Sequence, residues 1–186
     1  MDEYYIQRVL DGDADSFRFI IKAYKDMAYS MAMSVVKDDL IAREVLQTSF
    51  VQAYINLSSF KSNSKFSTWL YRIVINEAFK VKKKEIRDFI RFGNLSVFTI
   101  SESDDLTKKI DEDEQKYYIN KAMGMLSSKE SLILRLFYLE DNSIDDITDI
   151  TGWTNSNIKV ILHRARINMS RILKTDFKLD PKSLYI

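Results

Sequence analysis

The chain has 186 residues, room for one ordinary domain or two small ones, and its 46% hydrophobic and 30% charged content at a net charge of +1 is that of a folded, water-facing protein. The absence of cysteine excludes disulfides, a thiol nucleophile and Cys-ligated zinc. No apolar run approaches the ~18 residues of a membrane span, and Met1-Asp2-Glu3 lacks the basic-then-apolar start of a secretory signal, so a cytoplasmic address is expected.

Four glycines and a lone proline (Pro181) are too few for the special turns of a strand-rich fold, so the expected class is all-α. A short amphipathic helix is predicted over Tyr5 to Leu10. Phe17, Ile20, Ile21, Tyr24, Ala28, Met31 and Val35 then repeat at helical spacing over five turns. A second pattern runs Ala42, Val45, Leu46, Ser49, Phe50, Ala53, and a third Trp69, Leu70, Ile73, Val74, Ala78, Val81. These stripes can bury one another as a bundle. Between Phe89 and Asp113 the period is lost, and the stretch carries Gly93-Asn94 and an acid-rich run. The expected division is therefore a first domain over 1–92, a flexible acidic linker over 93–112, a second domain over 113–175 and a tail over 176–186.

In the second domain, Ser127-x-x-Glu130 and Ser143-x-x-Asp146 have the form of capping boxes, each opening a helix. Thr151-Gly152-Trp153 makes a tight break before a long helix from about Asn155 to Leu173. Helix, glycine turn and longer helix form the helix-turn-helix plan. The last helix has an inner stripe of Ile158, Leu162, Ala165, Met169 and Ile172, whereas Ser156, Lys159, Val160, His163 and Arg166 lie to the other side. From Ser156 to Lys174 there is no acidic residue, while the preceding helix region carries Glu140, Asp141, Asp145, Asp146 and Asp149. Such sorting suits a helix lying in a major groove beside a partner that faces away. Val160 is either a stray surface valine or a contact for a thymine methyl. The isolated His163 has no cluster of partners, so neither a metal nor a catalytic role is expected.

Between Phe60 and Arg91, aromatics stand beside Lys61, Lys65, Arg72, Lys80, Lys82, Lys83, Lys84 and Arg87. Rings beside cations suit single-stranded nucleic acid, whose bases stack while its phosphates follow the charge. Two readings stay open: Trp69 and Leu70 as core or as base platform, and the lysines as solvated or as phosphate contacts. Asp38, Asp39, Glu44 and Gln47 begin the second long helix, where the helix dipole alone favours carboxylates.

Three segments resemble a known family. Ala42-Arg43-Glu44-Val45-Leu46-Gln47-Thr48-Ser49-Phe50 is similar to the core-polymerase-binding helix of sigma region 2. Phe66-Ser67-Thr68-Trp69-Leu70-Tyr71-Arg72-Ile73-Val74-Ile75-Asn76 resembles its promoter-melting segment, and Asn157 to Arg166 resembles the recognition helix of sigma region 4. The order and extent match an extracytoplasmic-function sigma factor of RNA polymerase. The resemblance implies that Asp39, Glu44, Gln47, Thr48 and Phe50 contact the beta-prime clamp coiled coil, and that the second domain rests on the beta flap. It implies a minus-ten surface of Lys61, Asn63, Lys65, Phe66, Ser67, Thr68, Trp69, Tyr71, Arg72, Asn76, Lys80, Lys83 and Lys84. Thr154, Asn155, Ser156, Asn157, Lys159, Val160, His163, Arg164 and Arg166 would read the minus-thirty-five duplex. It also implies an anti-sigma factor as a partner and no cofactor. Arg43 in place of an acid, Ile161 in place of an arginine and the missing proline before Ser128 depart from the family's usual pattern.

Two other readings use less of the chain. A free-standing helix-turn-helix regulator accounts for 127–173 and leaves the Trp69 segment unused. A helical adaptor accounts for none of the charge sorting. Enzyme chemistry has no support, since there is no glycine-rich phosphate loop and no ligand cluster.

Overall fold

The computed structural model describes residues 2–61, 64–92 and 112–179. Among them there are helices and turns and no strand. Helix α1 (Asp2–Leu10) has Asp2 and Glu3 in its first turn and Arg8 in its last, as the helix dipole favours. After a 3-10 turn, α2 (Phe17–Val36) runs to Lys37, whose left-handed φ of 63° lets its N–H cap the Met33 carbonyl. Asp38 opens α3 (Asp39–Ile55) by accepting from the Ile41 N–H at 2.9 Å. The long α4 (Phe66–Phe92) follows a second 3-10 turn.

Helices α2, α3 and α4 pack on one another as the sequence patterns predict. Their shared core holds Ala28, Met31, Ala32, Val35, Ala42, Ala53, Leu70, Val74 and Ala78, all fully buried. The alanines bring the helix axes close, while the larger side chains fill the space between. Helix α1 closes one end through Ile6, and the Tyr24 hydroxyl donates to Asp2 at 2.5 Å.

In the second domain, α5 (Glu112–Met125) and α6 (Ser128–Leu134) both pack on the last helix. The first capping box is formed: Ser127 and Glu130 bond each other's backbone and side chain. α6 continues into a π-helical turn over Arg135–Leu139, which widens the helix. The second box, Ser143 with Asp146, opens α7 (Ile144–Thr151). Gly152 ends it at φ 73°, the left-handed conformation that glycine takes without a Cβ penalty. Thr154 then caps α8 (Asn155–Thr175). Leu132, Ile133, Leu136, Ile147, Ile150, Ile158 and Leu162 form the core, each large aliphatic contributing about 1.5–3 kcal/mol by burial.

The predicted linker lies outside the described residues except for Glu112, which opens α5. The two domains are in contact. α6 rests on α2 and α7 on α4. Lys37 Nζ donates to the Met123 carbonyl at 2.6 Å, Ser128 Oγ to the Val35 carbonyl at 2.5 Å, and Arg135 Nε to Ser34 Oγ at 2.9 Å. Phe79 of α4 meets Trp153 with ring centroids 5.7 Å apart. Hydrophobic patterning cannot reveal such a seam, because it is tied largely through backbone carbonyls.

Candidate nucleic-acid interface

Helix α8 presents its outer face without cover. Thr154, Asn155, Ser156, Asn157, Lys159, Val160, His163, Arg164 and Arg166 are all exposed, Val160 at 48%. The inner stripe lies in the core as predicted, joined by Ile161 and Leu173. Two of the outward residues are tied down. Asn155 accepts from Thr148 Oγ1 at 2.5 Å and donates to Asp145 at 2.8 Å, fixing the angle between α7 and α8. Arg166 donates to the Tyr138 hydroxyl at 2.8 Å and lies over the rings of Phe137 and Tyr138. Both aromatics come from the π-helical turn, so the widened turn and the arginine form one unit. Sequence reading missed Tyr138, whose signal is an exposed aromatic in an otherwise core-facing run.

The second surface is the start of α4 and the chain before it. Asn63 lies outside the described residues. Lys61, Lys65, Arg72, Asn76, Lys80, Lys83 and Lys84 are exposed. Phe66, expected at the capture surface, is instead a core residue with 4% exposure, edge-on to Tyr24 and Phe60. Trp69 is half-buried, its ring packed against Phe60 and Phe66 at 5.6 and 5.5 Å, as the core reading expects. Lys80 pairs with Glu77 at 3.1 Å. Ser67, Thr68 and Tyr71 are half-buried and, with Lys65, line a cleft of about 230 Å³ whose far wall is Glu140 and Asp146 of the second domain. Burial, and then the nearby Glu140 and Asp2, push the Tyr71 phenol up to about 12. Asp146 is held below the usual carboxylate range, first by its bonds to Ser143 and, more weakly, by Lys65 across the cleft. Arg72 Nη2 donates to the Asp149 carbonyl at 2.5 Å.

The third surface is the outer face of α3. Asp39, Glu44, Gln47 and Thr48 are exposed. Asp39 is also the partner of Arg43 at 2.9 Å and of the Tyr29 hydroxyl. Phe50, expected among the contact residues, is a core side chain at 6% exposure, edge-on to Phe17. The face contains Leu40, Val51 and Ile55 instead, 73%, 52% and 69% exposed. With Glu44, Gln47 and Thr48 they share one helical stripe at i, i+4, i+7, i+8, i+11 and i+15. Their signal in the sequence is an apolar set out of phase with the core stripe. Among the described residues no group of His, Asp and Glu is placed to hold a metal ion, and no helix is long and apolar enough to cross a membrane.

Comparison with known proteins decides what these surfaces belong to. Residues 20–87 match Sigma-70 region 2, and residues 117–169 match Sigma-70, region 4. The chain belongs to the sigma-70 family. The ECF RNA polymerase sigma factor SigW of Bacillus subtilis is 28% identical over 180 residues, covering 91% of this chain and 95% of that protein. The RNA polymerase sigma-H factor of Pseudomonas aeruginosa is 36% identical over 77 residues, a match that spans 41% of this chain and 40% of that protein. The fold matches that of the sigma factor RpoE from Bartonella quintana, solved in complex with the anti-sigma factor NepR, with a TM-score of 0.68, 22% identity and coverage of 86% and 98% of the two chains.

This sigma factor is of the extracytoplasmic-function group and directs RNA polymerase to promoters. The region 2 match covers the segment that a free-standing helix-turn-helix regulator leaves unused. Two of its departures from the family pattern have structural reasons. Ile161 is 8% exposed and belongs to the second domain's core, and Arg43 is held in an i,i+4 pair by Asp39.

Proposed function

We propose that this sigma factor divides promoter recognition between two surfaces. The outer face of α8 enters the major groove of the minus-thirty-five element, with Ser156, Lys159, Val160, His163 and Arg164 toward base edges and phosphates. The start of α4, with Lys61, Lys65, Trp69, Arg72, Asn76, Lys83 and Lys84, captures the unpaired minus-ten strand by stacking and phosphate contact. The α3 stripe of Leu40, Glu44, Gln47, Thr48, Val51 and Ile55 docks on the beta-prime clamp coiled coil, and the second domain meets the beta flap. An anti-sigma factor, like the one bound by the structural neighbour, holds the protein inactive in the cytoplasm. The factor positions DNA and strands while the polymerase carries out the chemistry.

The observation that carries this reading is the uncovered, acid-free face of α8 behind a fixed glycine turn. Run-off transcription on fragmented genomic DNA with purified core polymerase tests it. Discrete start sites that need this protein are expected. An active core enzyme yielding none with the folded, inhibitor-free protein contradicts it.

A further inference from the structure

Arg166 is held differently from the paired cations of this chain. Arg8, Arg43 and Lys80 each have a carboxylate partner, in Asp13, Asp39 and Glu77. Such a partner fixes a cation and also offsets its charge toward anything else. Arg166 is fixed by neutral groups instead. Its Nε donates to the Tyr138 hydroxyl at 2.8 Å, and its guanidinium lies 5.6 and 5.5 Å from the ring centroids of Phe137 and Tyr138. None of the ion pairs among the described residues includes it. Ring faces attract a cation without neutralising it, and a bond through Nε leaves the Nη groups for another acceptor. The bracket is made by the π-helical turn, in which the Glu140 N–H reaches back to the Arg135 carbonyl at 3.1 Å. The wider turn sets successive side chains at a smaller angle than an α-helix does. Phe137 and Tyr138, neighbours in sequence with centroids 5.0 Å apart, therefore both reach one guanidinium. Tyr138 is 42% exposed, so filling the core does not account for its ring.

We infer that Tyr138 is a positioning residue for duplex recognition: with Phe137 it holds Arg166 at full charge, so that the free Nη groups fork onto one phosphate of the minus-thirty-five element. This rests on the reading of the outer face of α8 as the minus-thirty-five surface. A recognition helix puts its N-terminal residues on base edges. Arg166 is exposed seven residues beyond Lys159, about 10 Å further along the axis, where the helix leaves the groove and meets the backbone. Arginine grips phosphate through two parallel N–H bonds, which demand a set orientation of its plane. A guanidinium already ordered by a hydroxyl and two rings loses little rotamer freedom when it binds. Tyr138 itself touches no DNA in this arrangement and acts through Arg166.

The test uses holoenzyme assembled with the full-length chain, on a promoter mapped by run-off transcription. Single methylphosphonate linkages, each removing one phosphate charge, are placed in turn across the minus-thirty-five element. One linkage should weaken wild-type binding about tenfold and Arg166→Ala not at all, which marks the phosphate that Arg166 grips. Tyr138→Phe keeps the ring and removes only the hydroxyl. In that variant the effect of the same linkage should fall to about threefold, and adding Arg166→Ala should abolish what is left. The linkages contacted by Lys159 should keep their full effect in both variants, which reports that α8 is folded and seated. Tyr138→Phe with the wild-type effect at the Arg166 linkage would overturn the inference. Loss of effect at every linkage alike would also overturn it, since the hydroxyl would then support the whole domain rather than one side chain. An Arg166→Ala pattern identical to the wild type's would do the same. Failure of the underlying reading has a separate signature: a Lys159→Ala pattern that also matches the wild type throughout, meaning that α8 does not lie on this duplex.

Discussion

The two proposed DNA surfaces of this sigma factor are built in opposite ways. The α8 face consists of short polar and basic side chains on a helix whose core stripe lies wholly on the other side. The α4 surface mixes the two roles: Phe66 and Leu70 are buried, Trp69 and Tyr71 half-buried, and Arg72 and Asn76 exposed within three turns. A duplex presents its groove ready-made, so a helix can read it from a solvated face. An unpaired strand must be held by rings and pockets, which have to be braced by the core. Recognition and stability are therefore separable on α8 and entangled on α4.

The largest contrast is expected from truncating one side chain on each surface. Trp69→Ala should cost about 2–4 kcal/mol in denaturant unfolding, because Phe60 and Phe66 lose a packing partner. Val160→Ala should change stability by less than about 0.5 kcal/mol while altering base preference at one position of the duplex site. Equal stability losses would mean that the two surfaces are not built differently. Gly152→Ala should come next, at about 1 kcal/mol, from backbone strain alone. A Cβ there meets nothing within 4 Å, so crowding adds nothing. On α8 itself, Lys159→Ala should flatten the salt dependence of promoter binding by about one phosphate contact with no change in stability. Arg166→Ala should add a stability loss of about 1 kcal/mol, since Tyr138 loses its partner. A stability-neutral Arg166→Ala would place that arginine with the solvated face.

The effect that depends on pH concerns the seam. Burial, and then Arg135 and Lys82, lower the Lys37 ammonium to about 8. Glu140 near Arg135 and Glu85 beside Lys82 are the acids facing this cluster. Since the folded-state value lies below the ordinary 10.5, the unfolded chain binds the extra proton between about 8 and 10.5. Stability should therefore rise as pH climbs through that window, and Lys37→Met should remove the rise in thermal melts.

Much of this was legible in the sequence because periodicity reports burial. The stripes of α2, α3 and α8, both capping boxes and the Gly152 turn need only local chemistry. Phe50 and Phe66 were assigned to contact surfaces because family motifs contain them, yet a motif retains core residues as well as contacts. Their burial was visible in the period: Phe50 falls in step with Val45, Ser49 and Ala53. The exposed Leu40, Val51 and Ile55 were passed over because a helix with two apolar stripes resembles one that is simply apolar. The seam between domains had no local signal, since Val35 and Met123 take part through backbone carbonyls, which any residue could supply.

The division of labour between α8 and α4 is tested most directly at a promoter mapped by run-off transcription, by measuring occupancy and permanganate reactivity of minus-ten thymines in the same complexes. Lys159→Ala should lower occupancy while the complexes that form are still melted. Asn76→Ala, exposed on α4 and outside the core, should preserve occupancy and lose thymine reactivity. If both variants lower occupancy and reactivity in parallel, the two surfaces do not act separately and the account is wrong.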